Sequence, residues 1–191
     1  ILSAGVYTVQ GTQDRLRDRF DNHVTPMTLD GMEFIHDAVF VDEKGPVPLT
    51  DDYEGILWMQ QNLEGSPVIL EAHTGTYRWG NRITNYTGLP AVVGWKWHQE
   101  QQRWGYSDQI QRRISDVAMF YRTDDPRVAL GIIHNYNVQY VYVSTLERRY
   151  YPEEGLAKFE RMGSTLERVC CEKGPATIYR VRSGATDIAA Q

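Results

Sequence analysis

Three short, almost wholly apolar runs constrain this chain most: 67–72 (PVILEA), 91–94 (AVVG) and 138–144 (VQYVYVS). They are too short for buried helices and are rich in β-branched and aromatic residues, so they read as strands buried on both faces. Segments of helical period surround them. Asp51 and Asp52 are N-cap candidates for a helix whose Tyr53, Ile56, Leu57, Gln60 and Leu63 share a face, with Gly65 at its end. Residues 78–86 form a second short helix before Gly88-Leu89-Pro90, and 95–106 form a polar, aromatic stretch. Ile110, Ile114, Val117, Ala118 and Tyr121 make one stripe over 108–122. After the helix start at Asp124-Asp125-Pro126, Val128, Ala129, Ile132, Ile133 and Tyr136 make another. Runs 166–171 and 176–181 flank a turn with Lys173, Gly174 and Pro175, which predicts a hairpin. Strands alternating with helices demand right-handed crossovers. The expected fold is therefore α/β: a mostly parallel open sheet flanked by helices, three-layer and Rossmann-like, with an antiparallel hairpin near the C-terminus.

The 191 residues suit one domain. Residues 1–50 read as an irregular lead-in, 51–182 as the α/β domain, with 1–182 one globular unit, and 183–191 as a flexible tail. With 25 acidic against 20 basic residues the net charge is -5, which argues against nucleic acid as a partner. No apolar run approaches the roughly 20 residues of a membrane span. Residues 1–9 (ILSAGVYTV) are apolar but lack the basic start of a signal peptide. The neighbours Cys170 and Cys171 make neither a CxxC pair nor a staple across a folded loop.

Ligands of open α/β sheets bind beyond the carboxyl ends of the strands, so the loops there carry the candidates. The first holds Glu71, His73, Thr74, Gly75 and Tyr77, the second Trp95, Trp97, His98, Gln101 and Arg103, and the third Thr145, Glu147 and Arg148. Residues 71–106 contain four of the five tryptophans (Trp79, Trp95, Trp97, Trp104), with Tyr77, Tyr86, Tyr106 and three arginines. Flat amphipathic rings suit sugars or prenyl chains, and guanidinium forks suit phosphate or carboxylate; the same rings also serve as packing. Glu71 ends an apolar strand, where a carboxylate is costly unless it is functional or paired with an arginine such as Arg82 or Arg103. His98 lies outside any HExxH pattern, and Asn85-Tyr86-Thr87 is an N-x-T acceptor pattern. Walker A, GxGxxG, GxSxG and paired-cysteine zinc motifs are absent.

The run 81–103 (NRITNYTGLPAVVGWKWHQEQQR), preceded by PVILEA and followed by DVAMFY, YVYVSTLER and LAKF, resembles the carboxy-terminal part of the "YYY" membrane proteins. These are large multi-spanning proteins related to membrane glycosyltransferases of the GT-C type, which use polyprenyl-phosphate-linked sugars. The similarity extends from about Leu29-Asp30-Gly31 to Tyr179 and is most specific at Thr87-Gly88-Leu89-Pro90 and at Gly94-Trp95 with His98. The resemblance implies a soluble extracytoplasmic domain of a multi-pass cell-membrane protein, with 1–9 as the end of a final transmembrane helix. It implies that the domain helps to bind or position a lipid-linked sugar or glycan acceptor, while catalytic groups sit in the membrane part. The positions it implies are Glu71, Arg82, Thr87, Trp95, His98, Gln101, Arg103, Glu147 and Arg148; the loops themselves add Tyr77 and Trp97. Expected partners are the upstream transmembrane region and a polyprenyl-phosphate sugar or glycan, with no nucleic acid, and with no cofactor or metal in this domain. Two other readings stay open. One is a glycan- or protein-binding module using the tryptophan-rich segment. The other is a stand-alone small hydrolase or transferase with Glu71 and His98 as acid and base.

Overall fold

The computed structural model describes residues 2–19, 28–172 and 174–183. Helix α1 (Leu2–Arg19) is followed by a 3-10 helix (Glu33–His36), a hairpin of β1 (Val39–Asp42) and β2 (Gly45–Pro48), and α2 (Thr50–Asn62). Then come β3 (Val68–Leu70), α3 (Arg82–Thr87), α4 (Lys96–Gln102), α5 (Ser107–Arg122) and α6 (Pro126–Asn135). The chain continues through β4 (Val138–Val143), α7 (Thr145–Tyr150), α8 (Glu153–Arg161), β5 (Leu166–Cys170) and β6 (Thr177–Val181).

The main sheet has the order β3-β4-β6-β5, and it is mixed rather than mostly parallel. Only β3 and β4 run parallel; β6 pairs antiparallel with both β4 and β5. Two local reasons account for the departure from a Rossmann-like sheet. The run 91–94 makes a single parallel bridge, Ala91 to Ile69, because Pro90 precedes it and Gly94 ends it. Its Val92 and Val93 are buried without extending a strand. The C-terminal hairpin, in turn, inserts β6 beside β4 and so supplies half of the four strands.

Helices cover both faces, as the alternation along the strands requires. Leu70, Val141 and Val143 pack with Val117, Phe120 and Tyr121 of α5, Ala129 and Ile133 of α6, and Phe159 of α8. On the other face Ile69, Tyr142 and Ile178 meet Ile56 and Met59 of α2, Ile83 of α3, and Ile35. The lead-in is thus not irregular: besides α1 and the hairpin, Ile35, Val47 and Leu49 are core residues. Within α1 the apolar Val6, Tyr7 and Val9 are exposed, and no described helix is long and apolar enough to cross a membrane. Except for Ser183, the expected tail lies outside the described residues. Cys170 and Cys171 are bonded to each other, a link between adjacent residues that closes no loop.

Helix starts follow the expected chemistry unevenly. Asp125 accepts the Arg127 N–H at 2.8 Å with Pro126 in the first turn, as the sequence indicates. Asp52, by contrast, caps nothing, because its side chain turns into the core. Helix α8 approaches the end of α5 so closely that a Cβ on Gly155 would lie 2.3 Å from the Tyr121 carbonyl oxygen.

One turn along, Lys158 is fully buried, donates to the Gly155 carbonyl at 2.6 Å, and lies 4.4 Å from the Phe159 ring centroid and 4.9 Å from that of Phe120. Burial first, and then the Arg161 charge, pulls its pKa from the ordinary 10.5 down to about 8. Between those values the unfolded chain binds the extra proton, so stability rises with pH over that window. The unfolding free energy from urea titration should climb by on the order of 2 kcal/mol as pH increases through this range, and Lys158→Met should flatten the slope.

Candidate functional site

At the carboxyl ends of β3 and β4 the structure gathers Glu71, Arg82 and Glu147, together with Asp52, in a buried polar network. Arg82 opens α3. Its Nε donates to Asp52 Oδ2 at 2.6 Å, its Nη2 to Glu147 Oε2 at 2.8 Å and Ser144 Oγ at 2.9 Å, and its Nη1 to Glu147 Oε1 at 3.2 Å. Burial opposes this charge, but Asp52 and Glu147 outweigh it and hold the guanidinium protonated, with its pKa well above the ordinary value. Glu147 also accepts the backbone N–H groups of Ala72 at 2.9 Å and Ser144 at 2.8 Å, the latter as half of the capping box that starts α7. Asp52 takes the hydroxyls of Tyr142 at 2.9 Å and Ser144 at 2.5 Å, and the Trp79 indole N–H at 2.7 Å.

Glu71 lies against this network, 3.9 Å from Arg82 Nη1. Its carboxylate accepts Ile83 N–H, Thr84 N–H and the Thr84 hydroxyl, each at 3.0 Å, so it satisfies the orphan amides of α3. Burial raises its pKa, against the lowering effect of Arg82 and those hydrogen bonds. Thr87 closes the same helix: its hydroxyl donates to the Ile83 carbonyl at 2.6 Å and accepts Leu89 N–H at 3.2 Å. These residues hold the crevice together and present no free polar atom to a ligand.

The exposed part of the site stands on that base. The loop after β3 returns through Gly80, whose N–H reaches Thr74 Oγ1 at 3.1 Å; a Cβ there would sit 2.3 Å from the same oxygen. The Gly80 carbonyl accepts the Trp95 indole N–H at 3.1 Å and fixes that half-buried ring. Tyr77, in the left-handed region at φ 60° and 60% exposed, meets Trp95 edge-on with centroids 5.1 Å apart and His98 at 6.4 Å. Trp97 (57% exposed), Gln101 and Arg103 continue the surface along α4, and Trp104 (94%) and Tyr106 (52%) follow. Trp79 and Tyr86 belong instead to the packing, 5.9 Å apart. Arg148 is exposed, donates to the Pro175 carbonyl, and lines a 520 Å³ cavity with Glu153, Glu160 and Tyr179.

The arrangement does not form the acid–base pair. Glu71 is enclosed with both oxygens engaged, whereas His98 is exposed and its Nε2 faces Gln102 at 3.0 Å. Among the described residues no group of three or more His, Cys, Asp or Glu is placed to hold a metal. His73 lines a separate 640 Å³ cavity with Ile114, Ala118, Met119 and Tyr151; burial, then the Lys96 charge, lowers its pKa. Asp52 is the network member that the sequence reading assigned elsewhere. Its spacing to Ile56 and Met59, four and seven residues on along the apolar face, is the signal that it points inward.

No family model matches the chain, and none of the curated proteins matches it. Among solved structures, it is similar to the crystal structure of the C-terminal globular domain of an oligosaccharyltransferase from Archaeoglobus fulgidus. The identity is 18% and the TM-score 0.42, over 69% of this chain and 97% of that one. So distant a likeness leaves the functional reading to the side chains.

Arg82→Met strands Asp52 and Glu147 as buried charges and should cost about 3–5 kcal/mol in urea unfolding. Glu71→Gln preserves shape and half of the acceptors, so its cost should be smaller, about 1–2 kcal/mol.

Proposed function

We propose that this chain is a carbohydrate-binding soluble domain on the extracytoplasmic side of a membrane-embedded, glycosyltransferase-like protein. In this reading it helps to bind or position a lipid-linked sugar or glycan acceptor, is joined to its own upstream transmembrane region, and needs no cofactor. The observation that carries the reading is an aromatic cluster in which exposed Tyr77 meets half-buried Trp95 and exposed His98 edge-on, with exposed Trp97 beside His98 on α4. Rings kept in water forgo about 25 cal/mol per Å² of apolar area, a cost that a bound partner recovers. A pyranose offers such rings its C–H face and offers Gln101 and His98 its hydroxyls. Because Trp95 is already fixed by Gly80, little ordering entropy opposes binding. The membrane part of the reading rests on the resemblance of 81–103 and its flanking runs to the "YYY" proteins.

In this reading the domain itself carries out no transfer, and the enclosure and hydrogen bonding of Asp52, Glu71 and Glu147 support that. A second reading, a protein-binding face, draws on the same composition, because Trp, Tyr and Arg dominate protein interfaces too. A glycan array separates the two. Trp97→Ala and Tyr77→Ala should each weaken glycan binding about tenfold, near the worth of one aromatic contact, with an unchanged urea midpoint. Absence of glycan binding together with capture of a protein partner through the same residues would select the second reading. Turnover of a sugar donor by the purified chain would refute the non-catalytic assignment.

A further inference from the structure

Charge sorts unevenly around the platform. Over the whole chain acidic residues exceed basic ones, for a net -5. Between 73 and 106 the only carboxylate is Glu100, against Arg78, Lys96 and Arg103 at the surface and Arg82 in the core. Lys96 lies 3.9 Å from Glu100, but neither Arg78 nor Arg103 has a carboxylate within ion-pair distance among the described residues. Of the other surface arginines, Arg127 is engaged by Asp125 at 3.0 Å, Arg180 by Glu167 at 2.6 Å and Arg161 by the Asp124 carbonyl at 2.9 Å, whereas Arg112 and Arg122 on α5 are exposed with no carboxylate within ion-pair distance among the described residues. Two exposed guanidinium groups without an ion pair thus neighbour the rings in sequence: Arg78 follows Tyr77, and Arg103 follows the helix that carries Trp97 and His98.

We infer that the platform selects acidic saccharides, specifically sugars bearing a C5 carboxylate. The inference rests on the carbohydrate-binding reading and deepens it. A pyranose stacked on Tyr77 or Trp97 holds its equatorial substituents near the plane of the sugar ring, at the rim of the platform. A planar carboxylate there presents two oxygens to a planar guanidinium, which reads it through paired N–H donors. An uncharged hexose gains only stacking and neutral hydrogen bonds at the same place, and leaves both guanidinium groups to water.

The test titrates the ¹⁵N-labelled chain with short galacturonate, glucuronate and mannuronate oligosaccharides and with their methyl esters, which keep the sugar and remove the charge. At least one acid should bind about tenfold more tightly than its ester, the worth of one charge-assisted hydrogen-bond pair, and should shift the indole N–H signals of Trp95 and Trp97. Arg78→Gln and Arg103→Gln, both at exposed positions, should each cut that preference about threefold or more. Raising NaCl from about 50 to 300 mM should erode it as well. Equal affinity for acids and esters would overturn the acidic selectivity while leaving the carbohydrate reading intact, as would a preference untouched by both arginine variants. If neither acids, esters nor neutral glycans move the indole signals, the carbohydrate reading falls and this inference falls with it.

Discussion

The fold turns on one buried guanidinium. Arg82 engages Asp52 from α2 and the Ser144–Glu147 start of α7 while opening α3 itself, so three segments distant in sequence close on a single side chain. Such a group is no cheap source of stability. Desolvating the ions costs several kcal/mol apiece, and good geometry only brings the sum back near zero. What the network supplies is uniqueness. The fork of an arginine donates to its partners in fixed directions, and any other docking of α2 or α3 would leave a charge unpaired in the core. Gly55 belongs to the same arrangement: a Cβ there would lie 2.6 Å from the Tyr142 hydroxyl that bonds Asp52.

From that point order spreads outward to the surface. Trp79 is tied to Asp52, and Gly80 next to it binds Thr74 through its amide and Trp95 through its carbonyl. Asn81, in the left-handed region, turns the chain into α3, where Glu71 receives the first free amides. The platform rings are thus two hydrogen bonds away from the buried ion pairs. An exposed loop with this many fixed contacts behaves as a scaffolded surface, with the Trp95 ring held in place by Gly80.

Much of this was legible in the residues, and the misreadings have identifiable physical causes. The two strands that take part fully, 68–70 and 138–143, lie inside runs whose β-branched density no helix would favour. The amphipathic stripes of α5 and α6 read correctly, apart from Val128, which is 41% exposed, because their periodicity runs over several turns. AVVG failed as a strand since apolar composition marks burial and not pairing; Val92 and Val93 are buried after one bridge. The position of β6 beside β4 could not be read at all, because local pattern predicts a hairpin but not the sheet edge to which it docks. Residues 145–148, expected as a strand-end loop, instead begin helix α7, and the S-x-x-E spacing of Ser144 and Glu147 is the signal that marks its start. Asp52 shows the opposite case: an aspartate two residues into a helix is normally at the surface, and only its register with Ile56 and Met59 betrays burial.

The burial of these carboxylates bears on function. The carboxyl ends of parallel strands are where open α/β sheets ordinarily place reactive groups, since backbone amides and loops converge there. In this chain Glu71 and Glu147 occupy that place, but every oxygen accepts from an amide, a hydroxyl or Arg82, and both residues are buried. A general acid must reach the group with which it trades its proton, and these carboxylates face the interior with their oxygens already engaged. The usual reactive crevice is here the keystone of the fold, and in the proposed role recognition falls to the rings and cations of the loop after β3 and of α4. The physical split matches the proposed role: a rigid interior without a proton shuttle, and a surface able to hold a sugar while chemistry proceeds elsewhere.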